Sequence, residues 1–303
     1  PLTEVIEDRE LMNRIAREYG TPSYVSSADR VTENVQRFAR AMDTHLPKYQ
    51  ILYAVKANMN PALLRVMRNA SPKLGVDCSS PGEIETVLGV GFSRDRLVYT
   101  GNYESRDDLT YALRSGVKIN FDDITSYRRC KSIELPEVVS FRVNPGSGKG
   151  AHDEIVTAGK DAKFGMPLSK VEEAYQEAIR DGVTRFGMHT MVGSGILEDE
   201  YFPWNYRRML KLATEIEQEL DIRFEYIDLG GGFGIPQREW EEPLDLDTIF
   251  AEVRLVYREF YPGDGPALYF EPGRYLVGDA GFILSRVTGT KNDDRAFVGL
   301  RSE

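Results

Sequence analysis

Eight short runs rich in apolar and β-branched residues recur along the chain: ILYAV (51–55), LGVDC (74–78), RLVYT (96–100), VKINF (117–121), VVSFRVN (138–144), TRFGMH (184–189), FEYIDL (224–229) and ALYF (267–270). Such runs read as buried strands. Most are separated by stretches long enough for a helix, and two of those stretches carry a clear helical period. Val35, Phe38 and Met42 continue the side begun by Val31, and Met209, Leu212, Ile216 and Leu220 recur at spacings of three and four within 206–220. Strand and helix in alternation predict parallel strands joined by right-handed crossovers. Eight such units fit a closed (β/α)8 barrel of the TIM type better than an open doubly wound sheet, which stands as the alternative.

The pattern differs at both ends. A helix over 8–19 and the strand-like PSYVS (22–26) precede the first barrel strand. After Arg274 the runs YLVGDAGFILSRVTGTK and RAFVGL read as strands with no helix between them. The expected organisation is therefore an N-terminal helix and strand (1–25), packing with a β domain, then an α/β barrel (26–274), and then the start of a β-rich domain (275–303) that looks incomplete.

Composition narrows the chemistry. With 303 residues, 41% of them hydrophobic, the chain can bury one large core. A net charge of -10 argues against nucleic acid or an anionic membrane surface as the main partner. No apolar run is long enough to span a bilayer and no secretory signal is visible, which points to the cytoplasm. Two cysteines, Cys78 and Cys130, are too few for a disulfide framework, and His45, His152 and His189 do not form a spaced metal-ligand cluster. No metal is expected.

In a barrel of this kind, chemistry sits at the C-terminal ends of the strands. Lys56 ends the first run, Asp77 lies in the second, Arg142 and Asn144 close the fifth, and His189 closes the sixth; DLGGGFG (228–234) and EPGR (271–274) follow the seventh and eighth. Lys56 can be a lysine that extends its head to water, or an amine partly desolvated at the barrel mouth, with a lowered pKa and a nucleophilic nitrogen. The glycine run is a tight strand-to-helix turn or a nest of backbone N–H groups open to phosphate. It is no Walker motif, and its place late in the chain makes a nicotinamide fingerprint a poor fit. Glu271 and Arg274 either pair at the surface or present a carboxylate that keeps a heteroaromatic nitrogen protonated. Amine, anion nest and carboxylate together describe a cofactor with an aldehyde, a phosphate and a ring nitrogen, which is pyridoxal 5'-phosphate.

These residues, with YAVKAN (53–58), DCSSPGEIE (77–85), FRVNPG (141–146), KFG (163–165) and VGSG (192–195), occur in an order that resembles the alanine-racemase-like barrel family of pyridoxal-phosphate enzymes. DCSSPGEIE and EPGR resemble its decarboxylase branch, which acts on diaminopimelate, ornithine, arginine and related amino acids. The resemblance implies that Lys56 binds the cofactor covalently and that Glu271 pairs with the pyridine nitrogen. It also implies that Gly231, Gly232, Gly234 and Ser194 cradle the phosphate with Arg274 nearby, and that Asp77 and Arg142 flank the ring. A small amino-acid substrate and a homodimer with shared active sites follow from it too.

Two departures stand out. Where the family has a histidine stacked on the cofactor, two residues before the Gly-Ser of the sixth strand, this chain has Met191, with His189 two residues earlier. His189 then either reaches the ring or is a hydrogen-bonded histidine of the barrel interior. The cysteine, acidic residue and tyrosine that the family's C-terminal domain contributes have no match after residue 274. The expected activity is decarboxylation, most simply of meso-diaminopimelate to lysine. Ornithine, lysine or arginine decarboxylation, an amino-acid racemase or epimerase, and a non-catalytic homologue are the alternatives.

Overall fold

The structure, a computed structural model, describes residues 2–150, 157–159 and 162–301, so His152 lies outside the described residues. All eight apolar runs form strands. In chain order the strands are β1 (Ser23–Ser26), β2 (Tyr49–Ala54), β3 (Leu74–Cys78), β4 (Leu97–Tyr99), β5 (Lys118–Phe121), β6 (Val138–Asn144), β7 (Met166–Pro167), β8 (Arg185–Thr190), β9 (Phe224–Asp228), β10 (Ala267–Phe270), β11 (Gly281–Leu284), β12 (Val287–Asn292) and β13 (Ala296–Leu300). The parallel sheet runs β5-β4-β3-β2-β10-β9-β8-β6, and β5 also pairs with β6, Phe121 beside Phe141, which closes the barrel. That pairing excludes the open sheet. The two-residue β7 pairs with Val143 and Asn144 at the upper end of β6.

Helices cover the outside of the barrel while side chains fill its interior, which is why β3 is buried at every position. The helix Ala28–His45 starts where the Ser27 hydroxyl accepts the Arg30 N–H at 3.2 Å, and it buries Val31, Val35, Phe38 and Met42. The period read over 206–220 belongs to a longer helix, Tyr201–Leu220. Its Pro203 is tolerated because the first turn has no internal partner for a backbone N–H.

Short connections hold the strand ends in place. After β2, Asn60 caps the helix Pro61–Ala70, its side chain accepting from Ala62 N–H at 2.9 Å; after β3, Ser80 caps Pro81–Val90. Phe233, inside the glycine run, is buried against Phe38 (ring centroids 5.0 Å) and stacked on Phe202 (4.5 Å). The loop carrying the glycines is thereby anchored in the core.

Antiparallel strands follow the barrel: β11 pairs with β1, and β12 with β13. The sequence reading errs at YLV, because Arg274–Val277 is one helical turn. Tyr275 and Leu276 are adjacent and both buried, which an alternating strand at a surface does not allow; Tyr275 packs on Phe38 and the Leu276 carbonyl accepts from Asn34 at 3.4 Å. No helix among the described residues is long and apolar enough to cross a membrane.

Candidate active site

Lys56 lies just past β2, in a single 3-10 turn, Val55–Ala57, that swings its side chain over the barrel mouth. Its ammonium donates to Asp77 Oδ2 at 3.0 Å. The expected desolvated, low-pKa amine is not what forms. The side chain is 54% exposed, and the charge of Asp77, outweighing burial and assisted by Glu271, raises the Lys56 pKa to about 12. Asp77 itself is buried at the end of β3; burial, and then the charge of Glu271, push its pKa up.

Glu271 follows β10 and turns into the barrel rather than out towards Arg274, so the surface ion pair does not form. It is 4% exposed and lies 3.5 Å from His189 Nε2. Asp228, at the end of β9 and opposite His189 in register, completes a buried group: His189, Asp228 and Glu271 bring one donor atom each within 4.8 Å of one another. Burial works against a Glu271 carboxylate, but His189 and Lys56 more than reverse it and hold the group well below the usual range. Asp228 moves the other way, raised by burial and by the charge of Glu271. Among the described residues, neither nitrogen of His189, nor Glu271 Oε1, nor Asp77 Oδ1 has a hydrogen-bond partner, although all are buried. A divalent ion accepts such a donor set, but the positive charges of Lys56 and Arg142 beside it oppose a second cation there.

Arg142 on β6 lies 3.9 Å from Asp122 and 4.6 Å over the ring of Phe164, which fixes its plane. Asp122 is held in turn by Gly165 N–H (3.1 Å) and Asn102 (2.7 Å).

The glycine run forms the far wall. A Cβ on Gly231 would run into the Glu271 carbonyl, and Gly232 has φ +101° with Gly193 O only 3.2 Å from where its Cβ would be. Backbone bonds Ile196 N–H to Gly232 O and Gly234 N–H to Ile196 O, both 2.9 Å, tie the run to the loop after β8. Not every amide faces the site: Gly230 N–H goes to Asp228 Oδ1 (3.0 Å), Gly231 N–H to the Met191 sulfur (3.2 Å) and Gly234 N–H to Ile196. Gly232 and Phe233 line the cavity, opposite Lys56, with Ser194 and Arg274 at its rim. That cavity has a volume of about 310 Å3 and also touches Met191 and Glu271.

A family model described as the pyridoxal binding domain of pyridoxal-dependent decarboxylases matches residues 32–278. The chain belongs to that family. It is 40% identical over 291 residues to the diaminopimelate decarboxylase of Methanothermobacter thermautotrophicus, covering 94% of this chain and 67% of that protein. It is 36% identical to that of Thermoplasma acidophilum, covering 93% and 67%. Among solved structures, diaminopimelate decarboxylase from Helicobacter pylori complexed with L-lysine superposes with a TM-score of 0.86 at 25% identity, covering 96% of this chain and 72% of that one.

As a pyridoxal-dependent decarboxylase, the chain has a site that fits its cofactor on structural grounds. An amine, a carboxylate with an unpartnered oxygen and a wall that admits no Cβ face one cavity. Of the residues singled out in the sequence, Lys56, Met191, Ser194, Gly232, Glu271 and Arg274 line that cavity. Asp77 touches it through Lys56 and His189 through Glu271. Arg142 flanks it, interacting with Glu271 and Asp77, while Gly231 and Gly234 shape the wall from behind. Asp228 and Asp122 were missed. The signal for Asp228 was an acid ending a strand two residues before the glycines; Asp122 directly follows VKINF.

Proposed function

We propose that this pyridoxal-dependent decarboxylase acts on meso-diaminopimelate to give lysine, with Lys56 and Glu271 as its catalytic residues. The observation that carries the residue roles is the convergence on one cavity of the Lys56 amine, a Glu271 carboxylate held ionised, and the wall formed by Gly232 with Ser194 and Arg274 at its rim. When bound, pyridoxal 5'-phosphate supplies an aldehyde that condenses with amines and a protonated ring that accepts the electron pair left by departing carbon dioxide.

The chain's own groups divide the remaining work. Lys56 offers the nucleophilic nitrogen once its proton is released, and Asp77 Oδ2 at 3.0 Å is the adjacent acceptor. Glu271, a buried carboxylate held ionised, would pair with the ring nitrogen and keep its proton in place. The backbone at Gly232 with Ser194 and Arg274 would hold the phosphate, while Gly231 and Gly234, whose N–H groups are bonded within the protein, shape the loop behind it. Asp77 and Arg142 would flank the ring, and His189 and Met191, the side chains at and just after the β8 end, would pack towards it.

Diaminopimelate is favoured by the relatives at 40% and 36% identity, both diaminopimelate decarboxylases. The test is carbon dioxide release by the full chain with saturating pyridoxal phosphate, offered diaminopimelate stereoisomers, ornithine, lysine and arginine separately. Lysine and carbon dioxide in equal amounts from the meso isomer are expected. Release from another amino acid overturns the substrate, and loss of chirality without carbon dioxide makes the protein a racemase.

We also propose a cytoplasmic homodimer with shared active sites, divided at residues 25 and 274, with β1–β11 pairing joining the terminal parts. Exposed apolar side chains on β12 and β13, Val287, Val298 and Leu300 on one side and Phe297 on the other, favour a covered hairpin there. A monomer in sedimentation equilibrium rejects the dimer.

A further inference from the structure

Beneath the cavity a chain of polar side chains crosses the barrel interior, and the reaction as derived leaves it without a task. Tyr226 on β9 donates to Asn120 Oδ1 at 3.4 Å. The Asn120 amide on β5 reaches Thr100 (3.2 Å) and Asp228 Oδ2 (3.5 Å). Asp228 Oδ1 accepts from Gly230 N–H at 3.0 Å, and a carboxyl oxygen of Asp228 lies within 4.8 Å of one of Glu271. Asn120 and Asp228 have no exposed surface.

Two carboxylates this close and this buried do not both ionise. Glu271 lies beside His189 and Lys56, whereas the hydrogen bonds to Asp228 come from neutral groups, one backbone amide and one side-chain amide. We infer that Asp228 is a positioning residue that carries the shared proton and donates it to Glu271, holding that carboxylate anionic and aimed at the cofactor ring. The inference rests on the proposed role of Glu271. Asp228 is not a ligand of substrate or cofactor; it acts through its neighbour. The titratable groups around it are Glu271 and Tyr269 from β10 and its end, Asp77 from β3, Arg142 from β6, His189 from β8, Tyr226 on its own strand and Tyr206 from the helix Tyr201–Leu220. Of these, Asp77 is the other buried acid whose pKa is raised, so it is the control.

The test uses three variants of the full chain and two readouts. In the protein without cofactor at neutral pH, infrared spectroscopy should find the carbonyl stretch of a protonated buried carboxyl group. Asp228→Asn should remove that band and Asp77→Asn should leave it. This readout does not depend on turnover, so it stands even if the decarboxylase substrate is wrong, whereas a wild-type protein that releases no carbon dioxide defeats only the function. The second readout is the pH profile of kcat/KM. Glu271 must be ionised, so activity is lost as pH falls through its pKa. Asp228→Ala removes the donor, raises that pKa, and should move the acid limb up by about one to two pH units. Asp228→Asn keeps a neutral donor and should restore most of the shift. A missing band, a band lost only in Asp77→Asn, or an asparagine variant whose acid limb moves as far as that of the alanine variant overturns the inference.

Discussion

Glu177, on the helix Leu168–Arg180 at the outside of the barrel, and Glu271, inside its mouth, both keep their charge well below the usual carboxylate range, by opposite routes. Glu177 meets Arg128 through two nitrogens, at 2.5 to 3.1 Å, and Lys131 at 2.9 Å; these hydrogen bonds bring its pKa to about 2. Arg128 and Lys131 reach it from the barrel's outer face, and both carboxylate oxygens accept from them. Glu271 has burial against it and is held ionised by His189 and Lys56, with one oxygen left without a partner. The same direction of shift thus accompanies two different conditions. Outside, a charge is fully answered by its neighbours and does nothing further. Inside, a charge is maintained against its surroundings with bonding capacity in reserve, which is the condition for acting on something else.

Breaking the inner arrangement should have the largest effects. Lys56→Ala removes the nucleophile and one of the two groups holding Glu271 ionised. Decarboxylation should fall on the order of 10^3-fold or more, measured by carbon dioxide release at saturating cofactor. Borohydride reduction of the wild-type holoenzyme followed by peptide mapping should place the cofactor on Lys56; a label on another lysine rejects the assignment. Glu271→Gln keeps the size of the side chain and removes its charge. It should slow the single-turnover chemical step by about 30- to 1000-fold, roughly 2–4 kcal/mol of transition-state stabilisation. An unchanged step in the cofactor-bound fraction would leave Glu271 with no part in the chemistry.

The contrast between the two glutamates also marks what the sequence makes legible. Strand periodicity exposes every barrel strand, because a sheet buried on both faces leaves continuous apolar runs such as LGVDC. Strand ends then single out Lys56, Asp77, Arg142, His189 and Glu271 by position alone. The direction of the Lys56 pKa shift was not legible, since it depends on Asp77 lying 3.0 Å away from a different strand. Nor was the division of labour between Glu271 and Asp228, which are 43 residues apart in the chain and meet only because β9 and β10 are neighbours. The turn at Arg274–Val277 was misread because its two buried positions face the helix Ala28–His45, a contact that no local pattern announces.

The wall of the cavity tests whether backbone geometry contributes separately from charge. Gly232→Val places a β-branched residue at φ +101°, with its Cβ 3.2 Å from both Gly193 O and Ile196 Cδ1. Strain of about 1–3 kcal/mol is expected as a lowered Tm without cofactor. Affinity for pyridoxal phosphate should also weaken, by roughly tenfold if about 1.4 kcal/mol of that strain falls on the bound loop. Unchanged affinity with a lowered Tm would make the residue structural and shift the phosphate site towards Ser194 and Arg274.

The smallest effect belongs to the outer glutamate, and its pH dependence is what distinguishes it. The pKa of Glu177 is lowered on folding, so its contribution to stability is fully present above about pH 4.5 and is lost as pH falls towards about 2. Glu177→Gln should therefore cost roughly 0.2–1 kcal/mol at pH 7, the range for a carboxylate paired at the surface, and less in high salt. Wild type and variant should converge in urea unfolding as the pH falls below 2, because the carboxyl group is then protonated in both the folded and the unfolded chain. Decarboxylation at pH 7 should not change, since the helix Leu168–Arg180 lies outside the barrel and Glu177 is answered by Arg128 and Lys131. A stability difference that persists undiminished below pH 2 would assign the effect to packing of the side chain rather than its charge. A slowed chemical step would mean that the outer cluster reaches the mouth of the barrel, and the separation drawn between the two glutamates would fail.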